Sequence, residues 1–376
     1  MQDWFELAKQ IDFKQDYALA LLFQTEGSSY KKSGTIALVN SEQCIGLISG
    51  GCLEDDLQLR AKTVIEKNAP QLIQYDLTDD DDVFGFGAGC EGVLDIYLMP
   101  LLAKHNHANF KQILQAAVND IDGKLNEEMN SNQRSCIAVF NLTTDKVTPI
   151  QIKRDKELFE HLTESKESRL KNNSSKSAQY LLPITQPKSV VIAGAGRDSY
   201  PVVKGALELG WRVTLIGHRK TNISKFEDRF RSHLGFSSQV IKFNSSLNGD
   251  EIKIFDKADA LVVMTHNIMF DVELVRAGMT ANIPYLGLLG PKKRAVKILG
   301  NVTNKLIKLF SGYLSSPIGI DIGSYSPMSI ALSILSELNC FFYKPDKLTH
   351  PFDIKSELNQ LSSKLPNQEQ KSRLCD

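Results

Sequence analysis

The feature that most constrains the fold is a change in the pattern of apolar residues near residue 188. From there to about residue 345, short apolar runs alternate with helical segments, and the runs are SVVIAG, RVTLIG, ALVVMT, YLGLL and PIGIDI. Continuous apolar runs are typical of strands that are buried on both faces of a sheet. Strands that alternate with helices pair in parallel through right-handed crossovers. Residues 188–345 are therefore predicted to form a doubly wound α/β domain.

The first half of the chain has a different pattern. Residues 17–99 alternate short β-like runs with glycine-containing turns, and they include one helix, LEDDLQLRAKTVIEK, with acidic residues in its first turn. Two further strand candidates, SCIAVFNL and VTPIQI, are expected to complete the same sheet. Residues 1–162 are thus predicted to form an α/β domain with a mixed, mostly antiparallel sheet. The polar segment 163–187 is predicted to be a linker or exposed loop, and residues 346–376 a tail.

Composition excludes several classes of protein. The 376 residues carry 44 basic and 44 acidic side chains, so the basic surface of a dedicated nucleic-acid-binding protein is not expected. Six cysteines are too few for a disulfide scaffold in a chain of this length. The beginning of the chain has no signal-peptide pattern, and no apolar run approaches the ~20 residues of a membrane helix. We therefore expect a cytoplasmic protein that binds neither nucleic acid nor membrane.

The most informative motif is VVIAGAGRDS, which contains Gly194, Gly196 and Arg197 between a predicted strand and a predicted helix. Glycines in such a loop let backbone amides approach a phosphate, and the helix N-terminus adds partial positive charge. The motif predicts a nucleotide or another phosphate-bearing ligand. The alternative is a tight turn between strand and helix with no ligand.

The second half of the dinucleotide-binding pattern is missing. NAD enzymes place an acidic residue at the end of the second strand, where it binds the ribose hydroxyls. Gly217 stands at that position, and His218, Arg219 and Lys220 follow it. These side chains could bind a phosphate, or they could be a solvated strand end. The absence of the acid argues against an ordinary NAD dehydrogenase.

Three other strand ends are expected at the same edge of the sheet, because ligands of such sheets bind beyond the carboxyl ends of the strands. One of them is Asp321-Ile322-Gly323. The remaining two carry basic side chains or a histidine. One carries His266. The other carries Lys292, Lys293 and Arg294, three cations at the start of a helix, where the macrodipole disfavours them unless an anion is bound. Both are candidate ligand-binding segments. The alternatives are a structural histidine and a surface charge run.

Two cysteines lie in glycine-containing segments of the first domain. Cys52 follows two glycines at the start of a predicted helix, where the pKa of a thiol is lowered, although three neighbouring acids oppose that effect. Cys90 lies among four glycines in FGFGAGCEGVLD. Neither has the partners of a structural zinc site. The two cysteines are candidates for contact with a soft metal or for sulfur chemistry, and the alternative is that they are buried and inert.

Several of these segments together resemble one protein family. TEGSSYKKSG, IGLISGGCLEDD and FGFGAGCEGVLDIYLMP resemble the first domain of the XdhC/CoxI family of xanthine and carbon monoxide dehydrogenase maturation factors. VVIAGAGRDSYPVVKGALELGWRVTLIGHR, ALVVMTHN, PYLGLLGPKKR and PIGIDIGSYSPMSIALSILSEL resemble its second, Rossmann-like domain. One departure is clear, because the family typically has an aspartate where Gly217 stands.

The resemblance implies a cofactor chaperone more than a turnover enzyme. Such a factor binds molybdenum cofactor (molybdopterin) transiently, supports its sulfuration and delivers it to a molybdenum hydroxylase such as xanthine dehydrogenase. By resemblance, Cys52 and Cys90 are candidates for the metal side, and Gly194, Gly196 and the cations of GPKKR for the phosphate side. The resemblance further implies a homodimer and a cysteine desulfurase as a partner.

Two other functions stay open at the level of sequence. One is an NAD(P)-dependent oxidoreductase in which the cysteines are redox groups; Gly217 speaks against NAD, whereas Arg219 is compatible with NADP. The other is a protein-interaction scaffold whose glycine loops are purely structural.

Overall fold

The computed structural model describes residues 4–51, 53–77, 92–118, 135–164, 169–174, 177–241 and 249–348. The chain divides into two compact units, Met1–Pro187 and Lys188–Asp376. Among the residues described, the helices are all too short or too polar to cross a membrane.

In its described residues, the N-terminal unit combines four α-helices with two antiparallel sheets. The helices are α1 (Trp4–Gln10), α2 (Glu54–Lys67), α3 (Phe110–Val118) and α4 (Lys156–Glu164), and a 3₁₀ segment spans Ala103–Asn109. The first sheet has the order β3-β2-β1-β5-β4 and contains β1 (Tyr17–Gly27), β2 (Thr35–Val39), β3 (Cys44–Ile45), β4 (Gln71–Asp76) and β5 (Gly92–Leu101). The second has the order β7-β6-β9-β8 and contains β6 (Cys136–Leu142), β7 (Gln151–Arg154), β8 (Leu170–Ser174) and β9 (Ser177–Ile184).

Strand β1 is buried on both faces, which explains its continuous apolar sequence. Successive side chains of a strand point to opposite faces. Ala18 and Ala20 pack in the core that α2 covers. Leu19 and Leu21 pack in a second core with α1, α3 and the β6–β9 sheet. The first sheet is therefore the middle layer of this unit.

Two sequence predictions for this unit are wrong. Strands β6 and β7 do not extend the first sheet: they pair with each other in the second sheet, where β6 also pairs with β9. The segment 163–187 is not simply a linker, because it supplies β8 and β9. Polar residues dominate its first half and obscure the run YLLPI, in which Tyr180, Leu182 and Ile184 are buried in the core shared by the two sheets. That core stabilises the segment as a strand.

The C-terminal unit is a parallel six-stranded sheet covered by helices. Its strands are β10 (Ser189–Ala193), β11 (Arg212–Gly217), β12 (Phe236–Val240), β13 (Ala260–Val263), β14 (Tyr285–Leu288) and β15 (Tyr313–Ser315). Its helices are α5 (Ser199–Glu208), α6 (Lys220–Phe230), α7 (Gly249–Asp256), α8 (Ile268–Thr280), α9 (Lys292–Leu299), α10 (Asn304–Leu309) and α11 (Pro327–Tyr343), and a short 3₁₀ helix spans Pro345–Lys347.

The strand order of this sheet is that of the Rossmann fold. The order is β12-β11-β10-β13-β14-β15, which is 3-2-1-4-5-6 when the strands of the unit are counted from its start. Helices α5, α6 and α11 pack on one face, and α7 to α10 pack on the other. The predicted doubly wound α/β fold is confirmed. Because the strand order reverses between β10 and β13, a crevice is expected beyond their carboxyl ends.

Two strands of this sheet differ from the sequence prediction. The last strand is Tyr313–Ser315 rather than PIGIDI, because Pro317 has no N–H for the ladder and Gly319 has a φ of 109°. The edge strand Phe236–Val240 was not predicted, since its sequence FSSQV is polar and none of its residues is fully buried. Apolar periodicity identifies central strands and misses a polar edge strand of this kind.

Candidate functional site

A cleft of about 670 Å³ opens at the carboxyl ends of β10, β11 and β13. It is lined by the loop after β10, the residues after β11, the segment after β13 and one side chain of α9. Its volume lies within the roughly 300–1,000 Å³ that is usual for small-molecule sites. The cleft thus occupies the crevice that the strand order predicts.

The first glycine of the loop packs directly against the backbone that follows β13. Gly194 has a φ of 128°, and its amide donates to the carbonyl oxygen of Ile216 at 2.8 Å. A Cβ at this position would lie 2.4 Å from the carbonyl oxygen of Met264. Only glycine fits here, because both the backbone conformation and the space exclude a side chain.

The second glycine of the loop faces a carboxylate of the protein. A Cβ on Gly196 would lie 2.3 Å from Oδ1 of Asp198, the residue that precedes α5. The Asp198 side chain makes no capping hydrogen bond to α5; its Oδ2 lies 2.7 Å from Nε2 of His266. Sequence analysis did not single out Asp198. An acidic residue directly before the helix of a phosphate-binding loop is the signal that could have identified it.

His266 belongs to a well-defined turn after β13. Its φ is 60°, in the left-handed region, and its side chain is 64% exposed. The next residue, Asn267, caps α8: its side-chain oxygen accepts from the amides of Met269 and Phe270 at 3.1 and 3.2 Å. The predicted candidate His266 therefore lines the cleft, and its ring is paired with a carboxylate from another loop.

Arg294 lines the cleft and is held by a buried acid. Its Nη2 donates to Oδ2 of Asp271 on α8, and Thr265 Oγ1 donates to the other carboxylate oxygen. Asp271 is only 1% exposed. Gly290 leaves room for the arginine, because a Cβ there would lie 2.9 Å from Cδ of Arg294. The guanidinium keeps further N–H donors for a ligand beyond the one that Asp271 accepts.

Three of the predicted cations, Lys292, Lys293 and Arg197, do not line the cleft. Lys292 and Lys293 are exposed on the first turn of α9, and Arg197 is exposed in the glycine loop. The helical repeat explains the difference, because Ala295, Ile298 and Leu299 face the core and Arg294 lies beside them. Of the GPKKR cations, the structure brings Arg294 to the cleft.

The β11 side of the cleft carries the cation Arg219 and has no carboxylate at position 217. A Cβ on Gly217 would lie 3.2 Å from Cδ1 of Ile223 and 3.4 Å from Cβ of Ala195, so the position is closely packed. Burial, and next the charge of Arg219, lower the pKa of His218 and favour its neutral form. Arg219 is exposed and also lines the cleft.

The two candidate metal-side residues, Cys52 and Cys90, lie outside the described residues. Near Cys52, the Glu54 carboxylate accepts from the amide of Ser49 at 3.1 Å, from its hydroxyl at 2.8 Å and from the amide of Leu53 at 3.1 Å. Burial and the charge of Glu54 raise the pKa of Cys44 to about 11. Within the described part of the chain, no group of three or more His, Cys, Asp or Glu residues could hold a metal ion.

Comparison with known proteins gives the same two-part division. Residues 190–338 match the model of the XdhC Rossmann domain, and residues 11–76 match that of the XdhC and CoxI family. A protein of Bacillus subtilis (strain 168), which is named as a probable component of xanthine dehydrogenase, is 24% identical over 350 residues. The matched region is 87% of this chain and 94% of the relative.

A crystal structure from Bacillus halodurans, described as a xanthine dehydrogenase, has a similar fold. It superposes with a TM-score of 0.68 at 23% identity, over 94% of this chain and 99% of the other. The two family models together cover most of the described chain and match in the order that the sequence motifs predict. The chain therefore belongs to the XdhC and CoxI family.

Proposed function

We propose that the protein is an accessory factor for a molybdenum hydroxylase of the xanthine dehydrogenase type, and that it carries molybdenum cofactor as its cargo. The family membership and the names of the Bacillus subtilis and Bacillus halodurans proteins support this client class. In this role the protein binds the cofactor, supports its sulfuration with sulfur from a cysteine desulfurase, and delivers it as a homodimer. The chain's own residues hold and release the cargo.

The single observation that carries the proposal is the arginine of the cleft. Arg294 is held by the buried Asp271 at the side of a cleft of ligand size. A guanidinium forms strong, charge-assisted hydrogen bonds with phosphate oxygens. The pterin of molybdenum cofactor carries such a phosphate, so Arg294 is the proposed anchor for that end. His266 and the backbone of the glycine loop line the same cleft.

We propose that Cys52 and Cys90 contact the metal end. A molybdenum centre held by sulfur ligands is soft and suits thiolates. Both residues lie outside the described part of the chain, so the support comes from the resemblance of their segments to the family motifs. The residues on either side of the Gly50–Cys52 segment, Ser49 and Leu53, both donate hydrogen bonds to the Glu54 carboxylate. Both flanks of the segment are therefore fixed in position.

The experiment is to purify the full chain from cells that make the cofactor and to measure molybdenum per chain by mass spectrometry. The parent should carry molybdenum. Arg294→Ala should carry at least about tenfold less, because one lost charged hydrogen bond costs about 1.5–3 kcal/mol. Cys52→Ala and Cys90→Ala should also lose metal. Lys293→Ala, an exposed cation one residue away, is the control and should match the parent.

Two results would contradict the proposal. A parent protein without molybdenum would remove the cargo altogether. Equal molybdenum in the parent and in Arg294→Ala would show that the cleft does not hold the phosphate end.

One observation favours a second candidate function. Arg219 follows β11 and lines the cleft, where an arginine can accept the 2′-phosphate of NADP. An NADP-dependent oxidoreductase would bind NADPH tightly and oxidise it in the presence of a substrate. A fluorescence titration with NADPH separates the two functions, and we expect no tight binding.

A further inference from the structure

We infer that Asp198, held by His266, is a specificity-determining residue that excludes diphosphate-bridged ligands from the cleft. The inference rests on the proposed function, because it concerns the same cleft and narrows its ligand to one with a single phosphate. The phosphate then binds at Arg294 and not at the N-terminus of α5.

The first step is the position of the carboxylate. In dinucleotide-binding loops the second glycine lets the backbone approach the pyrophosphate, and the helix N-terminus faces that anion. In this chain, a Cβ placed on Gly196 would lie 2.3 Å from Oδ1 of Asp198. The space beside the second glycine is therefore filled by an anionic group of the protein itself.

The second step is what holds the carboxylate there. An aspartate at the start of a helix ordinarily caps the first amides, but the Asp198 side chain makes no such bond to α5. Its Oδ2 lies 2.7 Å from Nε2 of His266, which comes from the turn after β13. That turn is fixed by the Asn267 cap of α8. A contact between two strand ends thus sets the position of the carboxylate.

The third step is the charge. A diphosphate brought to the usual position would meet the Asp198 carboxylate, and like charges that face each other oppose binding. The second contact that dinucleotide-binding domains make is missing as well, because Gly217 stands where an acidic residue would bind the ribose hydroxyls. Both features that select a dinucleotide are therefore altered, and they lie in different loops.

The fourth step is the anion site that stays available. Arg294 lies on the α9 side of the cleft, and its partner Asp271 is buried in the protein rather than placed in the ligand space. A phosphomonoester can bind this guanidinium without meeting Asp198. The cleft therefore discriminates between one phosphate and two bridged phosphates.

The test measures binding of ADP-ribose, as the diphosphate probe, to full-length variants by calorimetry. We expect Asp198→Asn to bind ADP-ribose at least about tenfold more tightly than the parent, since a like-charge contact is removed. Asp198→Ser should do the same and can also cap α5. The control Asp228→Asn removes an exposed acid of α6 and should bind like the parent.

The inference is overturned if neither Asp198 variant binds ADP-ribose more tightly than the parent while keeping the circular dichroism of the parent. Molybdenum per chain is measured on the same samples. A parent without molybdenum contradicts the proposed cargo, whereas an absent gain in ADP-ribose affinity contradicts the role of Asp198, so the two failures are distinguishable.

Discussion

Two carboxylates next to the cleft each contact a nitrogen of a side chain from another element, yet they differ in burial. The side chains of Asp271 and Arg294 are 1% and 21% exposed, whereas those of Asp198 and His266 are 26% and 64% exposed. Removing one partner of a buried pair leaves an uncompensated charge, whereas an exposed pair contributes little to stability. The comparison indicates that Asp271 supports the structure of the cleft and that Asp198 controls what enters it.

The largest expected effect is that of removing the buried acid. Asp271→Ala should lower the free energy of unfolding by about 3–5 kcal/mol, because Arg294 and Thr265 lose their shared partner inside the protein. Urea unfolding measures this, with Asp228→Ala as the control. A loss no larger than that of the control would show that the buried pair is not structural.

A smaller loss of stability is expected when the cation is removed. Arg294→Met should lower the free energy of unfolding by about 2 kcal/mol, since the arginine is partly solvated and its removal leaves the Asp271 carboxylate without its ion-pair partner. The double variant Asp271→Ala/Arg294→Met should lose less than the sum of the single losses. Strict additivity in this cycle would contradict coupling between the two residues.

Removing the charge of Asp198 should have little effect on stability, unlike removing the Asp271 side chain. Asp198→Asn should change the free energy of unfolding by less than about 1 kcal/mol, because its pair with His266 is exposed. Its effect should appear in ligand selectivity instead. A loss as large as that of Asp271→Ala would remove the distinction between the two carboxylates.

The smallest expected effect is the contribution of His218, which lines the cleft beside β11, to the pH dependence of stability. Its pKa is lowered by burial and by Arg219, so the folded state binds this proton less readily than the unfolded state. Stability should therefore fall as pH drops through the ordinary range of histidine, and His218→Gln should reduce that slope. Urea unfolding at pH 7 and at pH 5 measures this pH dependence of stability in the parent and in His218→Gln. The same dependence in both proteins would contradict the role given to His218.

Much of the C-terminal fold could be predicted because its central strands are continuous apolar runs. The glycine loop, Gly217 and Arg294 were also found from the sequence, since each stands at a strand end or helix start. Asp198 and Asp271 were not. Their roles depend on contacts with residues 68 and 23 positions away, and such pairs leave no local pattern.

The N-terminal unit was harder to predict because its architecture depends on long-range pairing. The run YLLPI resembles any short apolar segment, and only its pairing with β6 makes it a central strand of the second sheet. Similarly, nothing local distinguishes Arg294 from Lys293. Packing of α9 decides which of these cations lines the cleft.

The pairing of β1 with β5 also affects synthesis of the chain. The register joins Tyr17 to Leu101, so at roughly 5–20 residues per second the ribosome needs roughly 4–17 s to deliver the second partner of β1. The β1–β2 hairpin can form earlier and leaves one apolar edge of β1 open. An open edge of this kind is a template for aggregation. This edge is therefore open to pairing with another chain until β5 has been made, before synthesis of the cleft-bearing half begins.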